Sequence, residues 1–171
     1  GGRPMSQLLP YDRAAAVAYA HRWAHGRNPA YYSFDALGGD CTNFASQCLY
    51  AGAGVMDFTP TFGWYYRSVR DRAPAWTGVL YFYNFLTRRA ESPGPAGEEV
   101  PLERVEPGDF VQLRLQGDSF GHCPVVVAVG RPPRPDTLLV AAHSDDADLR
   151  PLSTYPYRQV RFLHITDVRR G

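Results

Sequence analysis

Lysine is absent from this 171-residue chain, and all 18 of its basic residues are arginine. That absence excludes lysine Schiff-base chemistry, a lysine general base and a Walker P-loop, each of which needs the amine. A coding bias toward arginine accounts for it without any functional cause. Cysteine is scarce too: the three present, Cys41, Cys48 and Cys123, form no Cys-x-x-Cys pair. This argues against a disulfide framework or a structural zinc site, and reduced thiols in a cytoplasm are the default expectation. No HxH or HExxH pattern accompanies the histidines, so neither a metal nor another cofactor is expected. Excess charge is missing as well, since 18 basic against 17 acidic residues leave a net charge of +1. Nothing therefore points to nucleic acid or a membrane surface as a partner. A run of about 18 apolar residues, the minimum for a transmembrane helix, does not occur. Residues Gly1 to Pro10 hold no charged region followed by an apolar stretch, so no signal peptide is visible and a cytoplasmic location is expected. Met5 is a candidate native start.

The composition that remains, 44% apolar and 20% charged, is that of a globular chain, and the length is that of one domain able to bury a core. Two unlike parts follow each other. The first, about residues 11–89, reads as helical. Asp12 is a candidate N-cap for a helix that Gly26 stops. Cys41, Phe44, Ala45, Cys48, Leu49 and Gly52 recur at helical spacing, with Gly52 and Gly54 ending the run. A third helix is predicted over Trp76 to Arg88. Residues 90–106, with Pro93, Gly94, Pro95 and Gly97, read as a connecting loop. The second part, about residues 107–166, reads as strands at Phe110–Leu115, Val125–Val129, Leu138–Ala142 and Gln159–Ile165, with a proline-rich turn at Arg131–Pro135. Helices first and an antiparallel sheet second define an α+β fold.

Cys41 is the sharpest candidate for chemistry. It follows Gly38-Gly39-Asp40 and opens a helix, where free backbone N–H groups lower a thiol pKa and can hold a developing oxyanion. The alternative role is that of a small buried hydrophobe. Cys48, two turns further along, reads as core; Cys123, at a strand start, either lines the same cleft or packs. A thiol nucleophile needs a base. His122 opens a buried strand and suits that role; His143 ends the next strand, and antiparallel pairing would make the two neighbours, with His143 orienting His122. Asp145 and Asp146 are the other candidate orienters. His21, His25 and His164 read as surface or structural. Asp40 is expected to cap the helix, and Asn43 and Gln47 to bond the loop or touch substrate. Asp109 is expected to order the strand start. Trp64, Tyr65, Tyr66 and Trp76 could wall a substrate cleft, with ordinary core packing as the alternative.

The block Gly38-Gly39-Asp40-Cys41-Thr42-Asn43-Phe44-Ala45-Ser46-Gln47-Cys48 resembles the signature of the putative amidase domain family of bacteria. So do Gly63-Trp64-Tyr65-Tyr66, the pair Asn28-Pro29, and Tyr11, Asp12, Arg13, Ala16, Tyr19 and Ala20. That family is similar to the papain-like NlpC-type superfamily of cysteine peptidases and amidases. There an Asp-Cys opens a helix, Pro-Gly-Asp starts the first strand, a His opens the second and a polar residue ends the next. Pro107-Gly108-Asp109-Phe110-Val111, His122 and His143 fall in that order, and the resemblance runs from about Tyr11 to Ile165. Residues 55–106 depart from it, being longer and more aromatic than in compact NlpC-type peptidases. The resemblance implies a papain-like fold with the nucleophile at a helix start packed on a C-terminal antiparallel sheet. It also implies a cysteine-dependent amidohydrolase working through a thioacyl-enzyme. Substrate-binding positions would be Asp40, Asn43, Trp64, Tyr65 and Trp76. The expected substrate is a small peptide-like amide or a peptidoglycan fragment. Acyl transfer by the same residues, or a catalytically silent binding module whose aromatic segment holds a ligand, are the alternatives.

Overall fold

The helices of the first part pack on one face of an antiparallel sheet, and the computed structural model of the chain describes residues 7–171. In chain order the elements are β1 (Leu8–Leu9), α1 (Arg13–Trp23), α2 (Cys41–Ala53), a hairpin of β2 (Tyr66–Ser68) and β3 (Asp71–Arg72), α3 (Pro74–Thr77), α4 (Val79–Leu86), β4 (Gly94–Val100), β5 (Phe110–Arg114), β6 (Val125–Val129), β7 (Leu138–Ala142), β8 (Ala147–Pro151) and β9 (Gln159–Arg169). The large sheet runs β1-β9-β5-β6-β7-β8, with β4 on the other edge of β9, and every pairing is antiparallel. The architecture is α+β. No helix among the described residues is long and apolar enough to cross a membrane.

Local chemistry explains the helix limits. The Asp12 carboxylate accepts from the Ala15 N–H at 3.0 Å and caps α1, and Gly54, at φ 70°, takes the left-handed conformation that ends α2. Strand alternation then sorts the sheet residues between two faces. Phe110, Val125, Leu163 and Ile165 enter the helix-side core with Phe44, Cys48, Trp64, Trp76 and Phe82. Val111, Val126, Val140 and Phe162 enter a second cluster on the opposite face, covered by Leu152 and Tyr155.

Three predicted elements differ from those observed. The third helix is two, α3 and α4, because Gly78 between them is extended at φ −115°, ψ 130°. The segment read as a loop over residues 90–106 contains β4. Its Pro95 is accommodated because β4 pairs only with β9, an edge where a missing N–H is tolerated. Gly97 is required there, since a Cβ would meet the His164 carbonyl oxygen at 2.7 Å. The last strand runs on to Arg169, and β8 was not foreseen.

Asp109, expected only to order the strand start, also ties α1 to the sheet. Fully buried, it accepts from Arg13 Nη1 at 2.7 Å, Glu106 N at 2.8 Å, His164 Nδ1 at 2.8 Å and Ile165 N at 2.9 Å. Removing such a carboxylate strands several donors at once. Asp109→Ala should therefore lose about 3 kcal/mol of stability, measured as a lower urea midpoint at unchanged slope.

Candidate active site

The α2 start is shaped by the residues just before it. Gly38 and Gly39 sit at φ 92° and 110°, a conformation side chains rarely adopt, and they swing the chain so that Asp40 points inward. Asp40 is 1% exposed, and its side chain does not cap the helix as expected. Instead its carboxylate accepts from Phe34 N at 2.8 Å, Asn43 Nδ2 at 2.9 Å and His143 Nδ1 at 2.5 Å, with Arg27 Nε 3.8 Å away. The Asp40 N–H in turn donates to Ser144 Oγ at 3.1 Å. Ser144 and Asp145 both have positive φ, 63° and 67°, the pairing of conformations typical of a tight β-hairpin turn, here between β7 and β8.

Cys41, the first residue of α2, is 8% exposed, against 0% for Cys48 and 1% for Cys123. Its thiol donates to the Gly121 carbonyl oxygen at 3.9 Å and lies 3.7 Å from Thr42 Oγ1. The predicted lowering of its pKa is not what the surroundings produce. Burial pushes the thiol up, and the Thr42 hydroxyl and the N–H groups of Cys123 and Thr42 pull it only part of the way back. Burial raises Cys48 and Cys123 as well.

Antiparallel pairing of β6 with β7, Val125 opposite Ala141, brings His122 and His143 to the same end of the sheet, as predicted. They do not bond each other. Both His143 nitrogens are engaged elsewhere: Nδ1 with Asp40, and Nε2 with the Trp23 carbonyl at 2.8 Å and Arg27 Nη1 at 3.1 Å. Its ring stacks on Phe44 at 4.0 Å, so His143 steadies the α2 start rather than orienting His122. The other candidate orienters are also occupied: Asp145 pairs with Arg150, and Asp146 with Arg27. His122 makes no side-chain hydrogen bond among the described residues, and its ring lies 5.5 Å from that of Tyr155. Burial, and then the positive charge of Arg150, push its pKa down to about 4, with Asp145 opposing. A cleft of about 310 Å³ opens here, lined by Gly121, His122, Ser144, Asp145, Arg150 and Tyr155 among others.

The predicted substrate-binding residues fall elsewhere. Trp64 and Trp76 have no exposed surface and belong to the helix-side core. Their indole N–H groups are spent on Ser46 Oγ at 3.0 Å and Asn43 Oδ1 at 2.9 Å. Asn43 also donates to the Tyr32 carbonyl at 3.0 Å, the loop-holding alternative foreseen for it, and Gln47 accepts from the Tyr19 hydroxyl. Tyr65 packs on Phe58, with the Arg67 guanidinium 5.2 Å from its ring. Sequence reading missed Arg27, Ser144, Arg150 and Tyr155. Ser144 stood beside His143 in plain view, whereas Tyr155 lies in no motif.

A family model described as a putative amidase domain matches residues 10–166. The chain belongs to the putative amidase domain family. It is also 33% identical over 170 residues to the uncharacterized protein YhbB of Bacillus subtilis, a match covering 94% of this chain. The chain spans about half, 52%, of the length of that relative. No solved structure matches it.

The burial of His122 makes stability depend on pH. The folded protein keeps the imidazole neutral down to about pH 4, whereas the unfolded chain protonates it near 6.5. Between these values the unfolded state binds more protons, so stability falls as pH falls through that window, by up to about 3 kcal/mol from this group. Urea titrations across pH 4–7 should show a slope shallower by about one proton in His122→Asn than in the unaltered protein.

Proposed function

We propose that this chain is a cysteine-dependent amidohydrolase of papain-like, NlpC-type design, acting on a peptide-like amide or a cell-wall-derived fragment. The observation that carries the reading is the seat of Cys41: first residue of α2, its sulfur against the carbonyl of Gly121, the residue preceding His122. Cys41 Sγ attacks the substrate carbonyl carbon while the His122 imidazole takes the thiol proton. First-turn backbone N–H groups of α2 face the developing oxyanion. His122 then passes the proton to the leaving amine, and a thioester remains on Cys41. Water, deprotonated by His122, attacks that thioester, releasing the acid and restoring the thiol.

In the resting arrangement the imidazole and sulfur are not hydrogen-bonded, and such contacts often tighten only when substrate is seated. Asp40, Asn43 and His143 enter as positioning residues, since none has a free polar group to offer a substrate. The silent-module alternative relied on the aromatic segment as a ligand pocket; its Trp64, Trp76, Phe82 and Phe85 form core, whereas Phe58, Phe62 and Tyr81 remain exposed. Acyl transfer to an acceptor other than water uses the same steps up to the thioester.

Incubation with amide libraries and soluble wall fragments tests this reading. Turnover should vanish in Cys41→Ala and drop about 10²- to 10⁴-fold in His122→Ala, with an acyl adduct on Cys41 visible by intact mass spectrometry. Turnover that survives in a folded Cys41→Ala protein would end the proposal.

A further inference from the structure

Tyr155 is 7% exposed, and its hydroxyl is the one buried side-chain nitrogen or oxygen without a well-formed hydrogen bond among the described residues, Arg150 reaching it only loosely. A buried hydroxyl left without a well-formed bond costs free energy that most folded proteins avoid, so its place in the molecule matters. Tyr155 lines the same cleft as His122. Above its ring, 3.7 Å from the centroid, lies the Arg150 guanidinium. That group is held from behind by Thr154, Nε donating to Oγ1 at 2.8 Å and Nη2 to the carbonyl at 3.2 Å. Only Nη1 reaches a carboxylate, that of Asp145 at 3.3 Å. The Asp145 side chain is 89% exposed, so this ion pair is a loose surface contact worth little, and breaking it strands no buried charge.

We infer that the cleft at Gly121 and His122, reached from Cys41 through its contact with the Gly121 carbonyl, takes amides carrying a free carboxylate close to the scissile bond, with Arg150 as the anchor and the Tyr155 hydroxyl as a second donor. The inference deepens the amidohydrolase reading and rests on it. A guanidinium fixed at two of its nitrogens, with the third held only by an exposed surface carboxylate, is a preorganised carboxylate receptor. Asp145 already fills that position with a carboxylate of its own, and an incoming one would displace it into solvent. His122 supplies no competing cation, because it remains neutral at working pH.

Two alkylating reagents of nearly equal size separate charge recognition from general reactivity. Iodoacetate carries the carboxylate and iodoacetamide does not, and each places its reactive carbon on Cys41. At pH 8, with modified sites mapped by mass spectrometry, the ratio of iodoacetate to iodoacetamide rates at Cys41 should exceed that at Cys48 and Cys123 by about tenfold, near 1.4 kcal/mol. Arg150→Gln should remove that preference, Arg150→Lys should keep part of it, and Tyr155→Phe should lower it by about threefold. Asp145→Asn should raise it. Melting temperatures establish that each variant is folded, and the ratio cancels any uniform change in thiol reactivity. An unchanged ratio in folded Arg150→Gln overturns the carboxylate inference alone. Failure of Cys41 to react with iodoacetamide ahead of the other two thiols overturns the nucleophile, and this inference with it.

Discussion

The buried carboxylate of Asp40 is the contact on which the candidate site depends. An ionisable group with 1% exposure must have its lone pairs filled by the protein, and three donors from three different segments do so here. Phe34 N comes from the loop before the glycines, Asn43 from the first turn of α2 and His143 from the end of β7. One side chain thus fixes the approach loop, the helix start and the sheet edge relative to one another. Cys41, its immediate neighbour, inherits that geometry without contributing to it. His143 is the member that joins helix to sheet, and Phe44, Trp23 and Arg27 leave its ring no freedom to turn.

A consequence is a division of labour unlike the linear Cys-His-His order expected from strand positions. His143 belongs to the scaffold beneath Cys41, while His122 faces the cleft with no side-chain hydrogen-bond partner among the described residues. Burial acts on Cys41 and His122, the two groups of the proposed mechanism, so that both stay neutral. It pushes the thiol up and the imidazole down, so each rests uncharged. A neutral pair implies proton transfer during attack instead of a standing thiolate and imidazolium.

Much of this was legible because it is local. Asp12 as a cap, the helical spacing from Cys41, and the apolar runs at Val125–Val129 and Leu138–Ala142 each carry their signal within a few residues, and each element appears where read. What failed was non-local. Pro93, Gly94, Pro95 and Gly97 look like loop until β9 arrives to pair with them. Trp64 and Trp76 are compatible with a pocket wall or a core, and only the packing of α2 against α3 decides for the core. Asp40 resembles a helix cap by type and position, yet its shortest hydrogen bond is to a residue 103 positions away. Tyr155 and Arg150 carry no motif and meet His122 only through the sheet.

The pH dependence of Cys41 alkylation by iodoacetamide, followed from pH 4 to 10, tests the neutral pair most directly. A buried thiol and an uncharged imidazole predict a rate that climbs through and beyond pH 8 as a single ionisation with a raised pKa. A rate already at its plateau between pH 5 and 7 would reveal a standing thiolate–imidazolium pair and contradict it.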